Sequence, residues 1–444
     1  MNIDIEVLVT DIAKQVCRLG GKAYYVGGYV RDRLLNIESK DIDIEIHKLK
    51  EEDLVHILSK YGKVKKVGAS FGVYMIEGYD IDFSLPREEI STGPDHKDFE
   101  IVVSPYLGTK GAALRRDFTI NSIMQEVLTE KIIDHFGGIQ DLIAKRIRHV
   151  NDAAFIEDPL RVLRAAQFAA RFDFTIDNDT LVLMEKVDIS VLSHERIFEE
   201  IKKALLKSKK PSLFFNTLKS INQLDIWFKE LHDLIGVKQS PIHHPEGDAY
   251  IHTMLVIDEA AKHRNKANKP LWFMLSALCH DLGKKRATVI TPERITSHEH
   301  HKLGRDETRD MLSRITNEKK LLEYVDNMVY LHMKPRMLYK NDSKKNAYRR
   351  LIRDSIDIND LLLLVTSDTL GRKDPDIPKT MKIVNGIKEN IEAVKDEILP
   401  VVLGRDLIAL GYKPGKEIGV LLKQAYELQL DGYTKREILD NLVK

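Results

Sequence analysis

The stretch from Tyr25 to His47 limits the possible folds most strongly. It reads Tyr-Val-Gly-Gly-Tyr-Val-Arg-Asp-Arg-Leu-Leu and then, after a short polar gap, Lys-Asp-Ile-Asp-Ile-Glu-Ile-His. Tyr24, Tyr25 and Val26 suit a short strand, and Gly27-Gly28 leaves a backbone bare enough to approach a ligand closely. Tyr29 to Leu35 has helical composition, so the free N–H groups at its start would face an anion lying over the glycines. Ile42, Ile44 and Ile46 alternate with Asp41, Asp43 and Glu45, the period-two pattern of a half-buried strand, which points Asp41 and Asp43 the same way. Two such carboxylates repel each other unless a cation sits between them, and Mg²⁺ takes carboxylate oxygens together with substrate phosphates. A phosphate cradle followed by a metal pair implies nucleotidyl transfer. A polar strand face after a Gly-Gly turn is the plain alternative, but it predicts neither Arg31 nor Asp32 upstream.

Gly27-Gly28-x-x-Arg31-Asp32 followed by Asp41-x-Asp43 resembles the nucleotidyltransferase head of the bacterial class II tRNA CCA-adding enzymes and their poly(A) polymerase relatives. The resemblance implies a polymerase-β-like head, Mg²⁺ held by Asp41 and Asp43, and a triphosphate held by Gly27, Gly28 and Arg31, with Asp32 beside them.

At 444 residues the chain is too long for one ordinary core and reads as two to four domains. Lys+Arg at 69 against Asp+Glu at 68 leave a formal charge of +1, so any nucleic-acid partner must be held by local patches. No apolar run is long enough to span a membrane and no basic-then-apolar leader opens the chain, which predicts a cytoplasmic protein. Cys17 and Cys279 are too few for a disulfide framework or zinc ribbon, and both fall in apolar helical patterns that predict burial. The sequence does not give the oligomeric state.

Ile5, Leu8, Val9, Ile12, Val16 and Leu19 have the spacing of an amphipathic helix ended by Gly20-Gly21. Residues 50–61 read as a helix, and Val64 to Val67, Phe71 to Ile76 and Asp80 to Leu85 as strands, an α+β pattern on a small mixed sheet. Asp82, flanked by apolar residues, is either a third carboxylate that binds metal or deprotonates the attacking hydroxyl, or a solvated strand end. Pro86 to Asp98, rich in Gly, Pro and charge, reads as a mobile loop. Arg115-Arg116-Asp117-Phe118-Thr119-Ile120-Asn121 sets two guanidiniums, suited to triphosphate oxygens, beside an acid and an amide. The string matches the family's Arg-Arg-Asp-Phe-Thr-x-Asn motif, which implies nucleotide contacts from Arg115, Arg116, Asp117 and Asn121.

Glu157-Asp158-Pro159-Leu160-Arg161-Val162-Leu163-Arg164 reads alone as a capped helix with a basic stripe. The resemblance gives Glu157, Asp158, Arg161 and Arg164 a part in nucleotide binding, with protein side chains standing in for a template. Cytosine and adenine both present an amino donor beside a ring-nitrogen acceptor, which suits an accepting Asp158 and a donating Arg161. Ser193-His194-Glu195-Arg196-Ile197 matches a further helical motif of the family, and the lysines of 202–210 read as a solvated face or a track for RNA phosphates.

A second constellation begins near residue 240. His243-His244-Pro245-Glu246 precedes His252, then come His280-Asp281 at the end of an apolar run, His298, His300 and His301, His332, and Asp368. Imidazoles and carboxylates recurring at helix ends suit a divalent transition metal. His252, His280-Asp281 and Asp368 resemble the HD metallohydrolase pattern, which implies phosphoester hydrolysis by a metal-activated water, with His300 and His332 as additional ligands or acid/base groups. Lys334 to Arg353, with Tyr339 and Tyr348, reads as a local RNA contact or as exposed loop charge.

The expected architecture is thus α+β: a nucleotidyltransferase head over 1–145, a helical nucleotide-selecting and RNA-binding region over 146–238, an HD-like helical domain over 239–400 and a small helical subdomain over 401–444. The expected function is template-independent addition of CMP and AMP to a tRNA 3′ end from CTP and ATP, with a possible phosphohydrolase activity in the HD domain. The alternatives are an enzyme adding only CC or only A, a poly(A) polymerase, and an HD phosphohydrolase whose head merely binds nucleotide or RNA.

Overall fold

The computed structural model describes residues 4–39, 41–67, 72–91 and 99–442. The chain divides into two compact units, Met1–Leu192 and Ser193–Lys444.

In the first unit α1 (Ile5–Arg18) starts where the Asp4 side chain accepts from the Glu6 N–H, and it buries Leu8, Val9, Ile12, Ala13 and Val16. Its last turn is open to solvent, so Cys17 is exposed, against expectation, whereas Cys279 is buried. The chain continues through β1 (Lys22–Tyr25), α2 (Gly28–Leu34), β2 (Ile42–His47), α3 (Glu51–Leu58), β3 (Val64–Val67), β4 (Val73–Ile76) and β5 (Ile81–Ser84). After the ribbon β6 (Arg87–Ser91) and β7 (Phe99–Val103) come α4 (Gly108–Leu114), β8 (Met124–Glu126), β9 (Ile132–Ile133) and α5 (Gly138–Ile143). The seven-stranded sheet has the order β3-β4-β5-β2-β1-β8-β9. β2 pairs antiparallel with β1 and parallel with β5, which makes the sheet mixed and β2 central.

That position corrects the half-buried reading of β2. The period-two faces are as expected, but Glu45 and His47 are as buried as Ile44 and Ile46, because polar groups rather than water cover the second face. The predicted loop over 86–98 is also corrected in part: Arg87–Ser91 pairs antiparallel with Phe99–Val103, while 92–98 lies outside the described residues. The unit closes with α6 (Asp152–Glu157), α7 (Leu160–Phe172) and α8 (Asn178–Lys186). Pro159, at the N-cap of α7, ends α6 and starts the next helix, as its missing N–H favours.

The second unit is helical apart from a two-stranded ribbon, Thr288–Ile290 with Ile295–Ser297. Its strongly apolar helix Pro270–Cys279 buries seven consecutive residues, Phe273 to Cys279, and delivers His280 and Asp281 at its C-terminal end. Val402, Leu407, Ile418, Ala425, Ile438 and Leu442 form a separate small core near the C-terminus. The basic stretch before it is largely neutralised within the fold. Arg349 pairs with Glu397, Arg350 with Asp431 at 2.9 Å and Arg353 with Glu427, while Tyr348 is buried. Among the described residues no helix is long and apolar enough to cross a membrane.

Gly283 and Gly304 allow the closest approach in this unit: a Cβ on Gly283 would lie 2.1 Å from the His300 carbonyl oxygen and 2.4 Å from the Gly304 nitrogen. Gly283→Ala must therefore part the segments carrying Asp281 and His300. The expected cost is about 1–3 kcal/mol, read as a lower urea midpoint with unchanged slope.

Candidate functional site

The polar face of β2 carries Asp41, Asp43, Glu45 and His47 in alternation. Asp82 on β5 is the register partner of Asp43, so the parallel pairing sets the two carboxylates side by side on neighbouring strands. Burial pushes the Asp43 carboxyl above the usual range; Arg116 opposes this, and Asp82 and Asp41 reinforce it. Asp82 is raised too, by burial and then by Asp80 and Asp41. Acids raised by burial and by neighbouring acids form an anionic centre, and such a donor set fits a divalent metal. Gly27 borders it with φ +68°, and a Cβ there would sit 3.5 Å from Asp43 Oδ2 and 3.3 Å from an Arg116 nitrogen. Only glycine combines that backbone with that clearance.

Glu45 was not among the expected site residues, yet it organises the arginines. It is fully buried, its Oε1 lies 2.8 Å from His47 Nε2, and its Oε2 meets Arg115 at 3.2 Å and Arg116 at 3.4 Å. Burial alone would raise its pKa; the His47 hydrogen bond and the guanidiniums of Arg116 and Arg115 instead hold it at about 2. The available signal was its place on the Asp41/Asp43 face, two residues further along.

Arg31 is placed differently from the expected triphosphate contact. It is buried, bonded to Asp32 and to Asn121 Oδ1 at 2.6 Å, and its guanidinium lies 5.1 Å and 4.8 Å from the ring centroids of Phe168 and Phe172 on α7. Its charge is already spent inside the protein. Asp32 also meets Arg171 at 3.3 Å, Asn121 donates to Asp117 at 2.9 Å, and Asp117 pairs with Arg164 at 2.6 Å. The Arg-Arg-Asp motif and α7 are therefore one charge network, in which Asp117 is held below its ordinary pKa despite burial, mainly by Arg164. Arg161 donates to the Arg115 carbonyl at 2.8 Å and to the Ala154 carbonyl, Asp158 accepts from the Leu160 N–H at 3.2 Å, and Glu157 is exposed at the end of α6.

In the second unit His252, His280, Asp281, His300, His332 and Asp368 converge and are all buried. His280, His300 and His332 each place Nδ1 2.7–2.8 Å from the carbonyl three residues earlier, at Ala277, Ser297 and Val329. A donating Nδ1–H turns each Nε2 lone pair inward. Asp281 Oδ2 lies 3.2 Å from His280 Nε2 and 3.7 Å from His252 Nε2, while Oδ1 lies 3.2 Å from His300 and 4.0 Å from His332. Asp368 reaches His252 at 3.0 Å. His300 and His332 set their Nε2 atoms 3.2 Å apart, two lone pairs facing each other. Inward-turned imidazole nitrogens around a buried carboxylate fit a metal, and two donor sets share Asp281. Sequence reasoning missed Glu246, whose Oε1 is 2.7 Å from His252 Nδ1, and Lys284, 2.6 Å from Asp281 Oδ2.

The chain matches the family "Poly A polymerase head domain" over residues 23–148 and "Probable RNA and SrmB- binding site of polymerase A" over 173–235. It is 36% identical over 370 residues to a multifunctional CCA protein of Mannheimia succiniciproducens, covering 79% of this chain and 84% of that one. A multifunctional CCA protein of Pseudomonas fluorescens is 31% identical over 94% of this chain and the whole of its own length. Among solved structures, the Thermotoga maritima CCA-adding enzyme complexed with tRNA shares the fold, with a TM-score of 0.64 and 20% identity over 99% of this chain and 95% of that one. An apo CCA-adding enzyme reaches a TM-score of 0.67 at 21% identity, covering 99% of this chain and 96% of its own. Fold and head family together define a nucleotidyltransferase. Within that class, the chain belongs to the multifunctional CCA protein family.

Glu45→Gln keeps the shape of the side chain but leaves Arg115 and Arg116 facing each other without their counter-ion. We expect a loss of about 3 kcal/mol at pH 7, measured by urea unfolding. Because the Glu45 pKa is depressed, its contribution is present above the unfolded carboxylate range, near 4.5, and is lost as pH falls toward 2. The wild type and Glu45→Gln stability curves should therefore converge across that window.

Proposed function

We propose that the protein adds CMP, CMP and AMP in turn to the 3′ end of tRNA from CTP and ATP, without a nucleic-acid template. The observation that carries this reading is the in-register pair Asp43 and Asp82, with Gly27 against Asp43, in a chain of this family. Asp41 and Asp43 hold Mg²⁺, with Asp82 as the third carboxylate. When bound there, Mg²⁺ lowers the pKa of the terminal hydroxyl and stabilises the leaving pyrophosphate. The backbone at Gly27 and Gly28 admits the triphosphate, and Arg116, braced by Glu45, faces its charge. Asp158 and Arg161 choose the base: the two carbonyl bonds of Arg161 leave further N–H donors on its five-donor fork for a ring nitrogen. The chemistry takes place where tRNA, CTP and ATP meet, in the cytoplasm.

The facing imidazoles of His300 and His332 favour a second activity, phosphoester hydrolysis at the cluster of the second unit. His252, His280, Asp281 and Asp368 hold a divalent transition metal there, with His300 and His332 completing the donor set. A metal so bound supplies hydroxide near neutral pH. Burial, with His300 and His280 beside it, lowers the His332 pKa to about 3, which keeps its imidazole neutral and able to act as a ligand.

Transcripts ending before CCA, after C and after CC, offered CTP, ATP, UTP or GTP singly and CTP with ATP, test the first reading. Growth to a complete CCA that then stops is expected. Growth limited to C or to A would indicate a split-function enzyme, and long A tracts a poly(A) polymerase. Asp43→Ala should abolish transfer while nucleotide binding persists; full activity would remove the metal assignment. His280→Ala should lose bound metal and phosphoester hydrolysis with transfer unchanged, and hydrolysis surviving in this variant would remove the second activity from this cluster.

A further inference from the structure

Arg336 and Arg372 each stand four residues beyond a member of the His/Asp cluster, after His332 and Asp368 respectively. His332 and Met333 keep helical backbone angles between helices Lys319–Leu331 and Lys334–Lys340, so Arg336 continues the turn that positions His332. Gly371 closes helix Ile358–Leu370 against the backbone of the His252 helix; a Cβ there would lie 2.6 Å from the Val256 Cα. The next peptide is held as well, since the Lys373 N–H reaches Glu246 Oε2 at 3.4 Å. Both arginines thus leave elements fixed by the cluster itself.

Their partners are missing. Arg349, Arg350 and Arg353 in the same unit are all paired with acids. Arg336 and Arg372 are half-buried, and among the described residues neither guanidinium has a hydrogen bond or ion pair; Arg372 Nε is buried with none. The two arginines repel each other, and the acid that attracts them is Asp368, already engaged with His252. His243 lies in the same positive field, which Lys340 also feeds. Like charges whose nearby acid is already engaged reverse the situation of Asp43 and Asp82, and what they call for is an anion.

We propose that Arg336 and Arg372 form the phosphate seat of the helical unit, a two-guanidinium clamp that holds a phosphomonoester dianion against the His252, His280, Asp281 and Asp368 cluster. The assignment rests on the hydrolytic reading of that cluster and adds its specificity. Two planar forks match a terminal phosphate with two charges and three free oxygens, whereas a diester offers one charge and two.

The test uses the full chain loaded with a divalent transition metal. Inorganic phosphate binding is measured by calorimetry for wild type, Arg336→Gln and Arg372→Gln, beside metal content and hydrolysis of p-nitrophenyl phosphate and bis(p-nitrophenyl) phosphate. Each variant should keep its metal, bind phosphate at least about tenfold more weakly, and raise KM for the monoester more than for the diester. Unchanged CCA addition by the head, to which neither arginine belongs, reports that the variants are folded. Wild-type phosphate affinity in both variants overturns the clamp, and with hydrolysis intact it leaves the hydrolytic reading standing. Arginine-dependent phosphate binding by a wild type that cleaves neither ester keeps the clamp and removes that reading.

Discussion

The head depends on how one strand face accommodates its own negative charge. β2 lies in the middle of the sheet, so Asp41, Asp43 and Glu45 cannot all turn to bulk water. The deeper end of that face is neutralised permanently: Glu45 takes His47, Arg115 and Arg116 and stays ionised. At the shallower end burial and neighbouring acids outweigh Arg116, and Asp43 and Asp82 keep raised pKa values. A buried carboxylate paired with arginines is settled within the fold, whereas carboxylates raised by burial and by other acids favour a cation. Because both ends share a strand, moving Glu45 also moves the carboxylates two and four residues away.

The second unit gathers imidazoles around a buried carboxylate. Carbonyl acceptors one turn back orient three imidazoles, a local device that any helix end can supply, and Asp281 then sits between two groups of nitrogens. Lys284, beside Asp281, partly offsets the buried carboxylate, and Asp281 remains ionised far below its usual range.

Local chemistry was legible in the sequence where it is periodic or motif-bound. The alternation in β2, the glycine turn, the strand at Val64–Val67 and the helix end at His280-Asp281 follow from spacing and composition. Asp82 could be named but not placed, since its registration with Asp43 comes from a parallel pairing across 39 residues of sequence that no local pattern encodes. Glu45 escaped because its burial is created by arginines seventy residues later. The partners of Arg31 were hidden for the converse reason: the aromatic faces and Asn121 that meet its guanidinium lie on elements the motif does not contain. Cys17 belongs to an amphipathic helix, but its position is on the open side of the last turn. The acids that meet the arginines of 349–353, Glu397, Glu427 and Asp431, lie more than forty residues further along and no local pattern announces them.

The network from Arg171 through Asp32, Arg31, Asn121 and Asp117 to Arg164 gives those buried charges a purpose beyond stability. Its middle, Arg31 and Asp32, lies on α2 just after the glycine that borders Asp43, and both ends lie on α7, Arg164 three residues after Arg161. A template-free polymerase must hold the triphosphate and judge the base with groups whose separation does not drift, because no complementary strand restores the register. Surface pairs would not provide this, since they cost little to break. Buried, mutually bonded charges do, because moving one leaves its neighbour desolvated and unpaired at several kcal/mol. Arg31 thus ties α2, which follows Gly27, to α7, which carries Arg161.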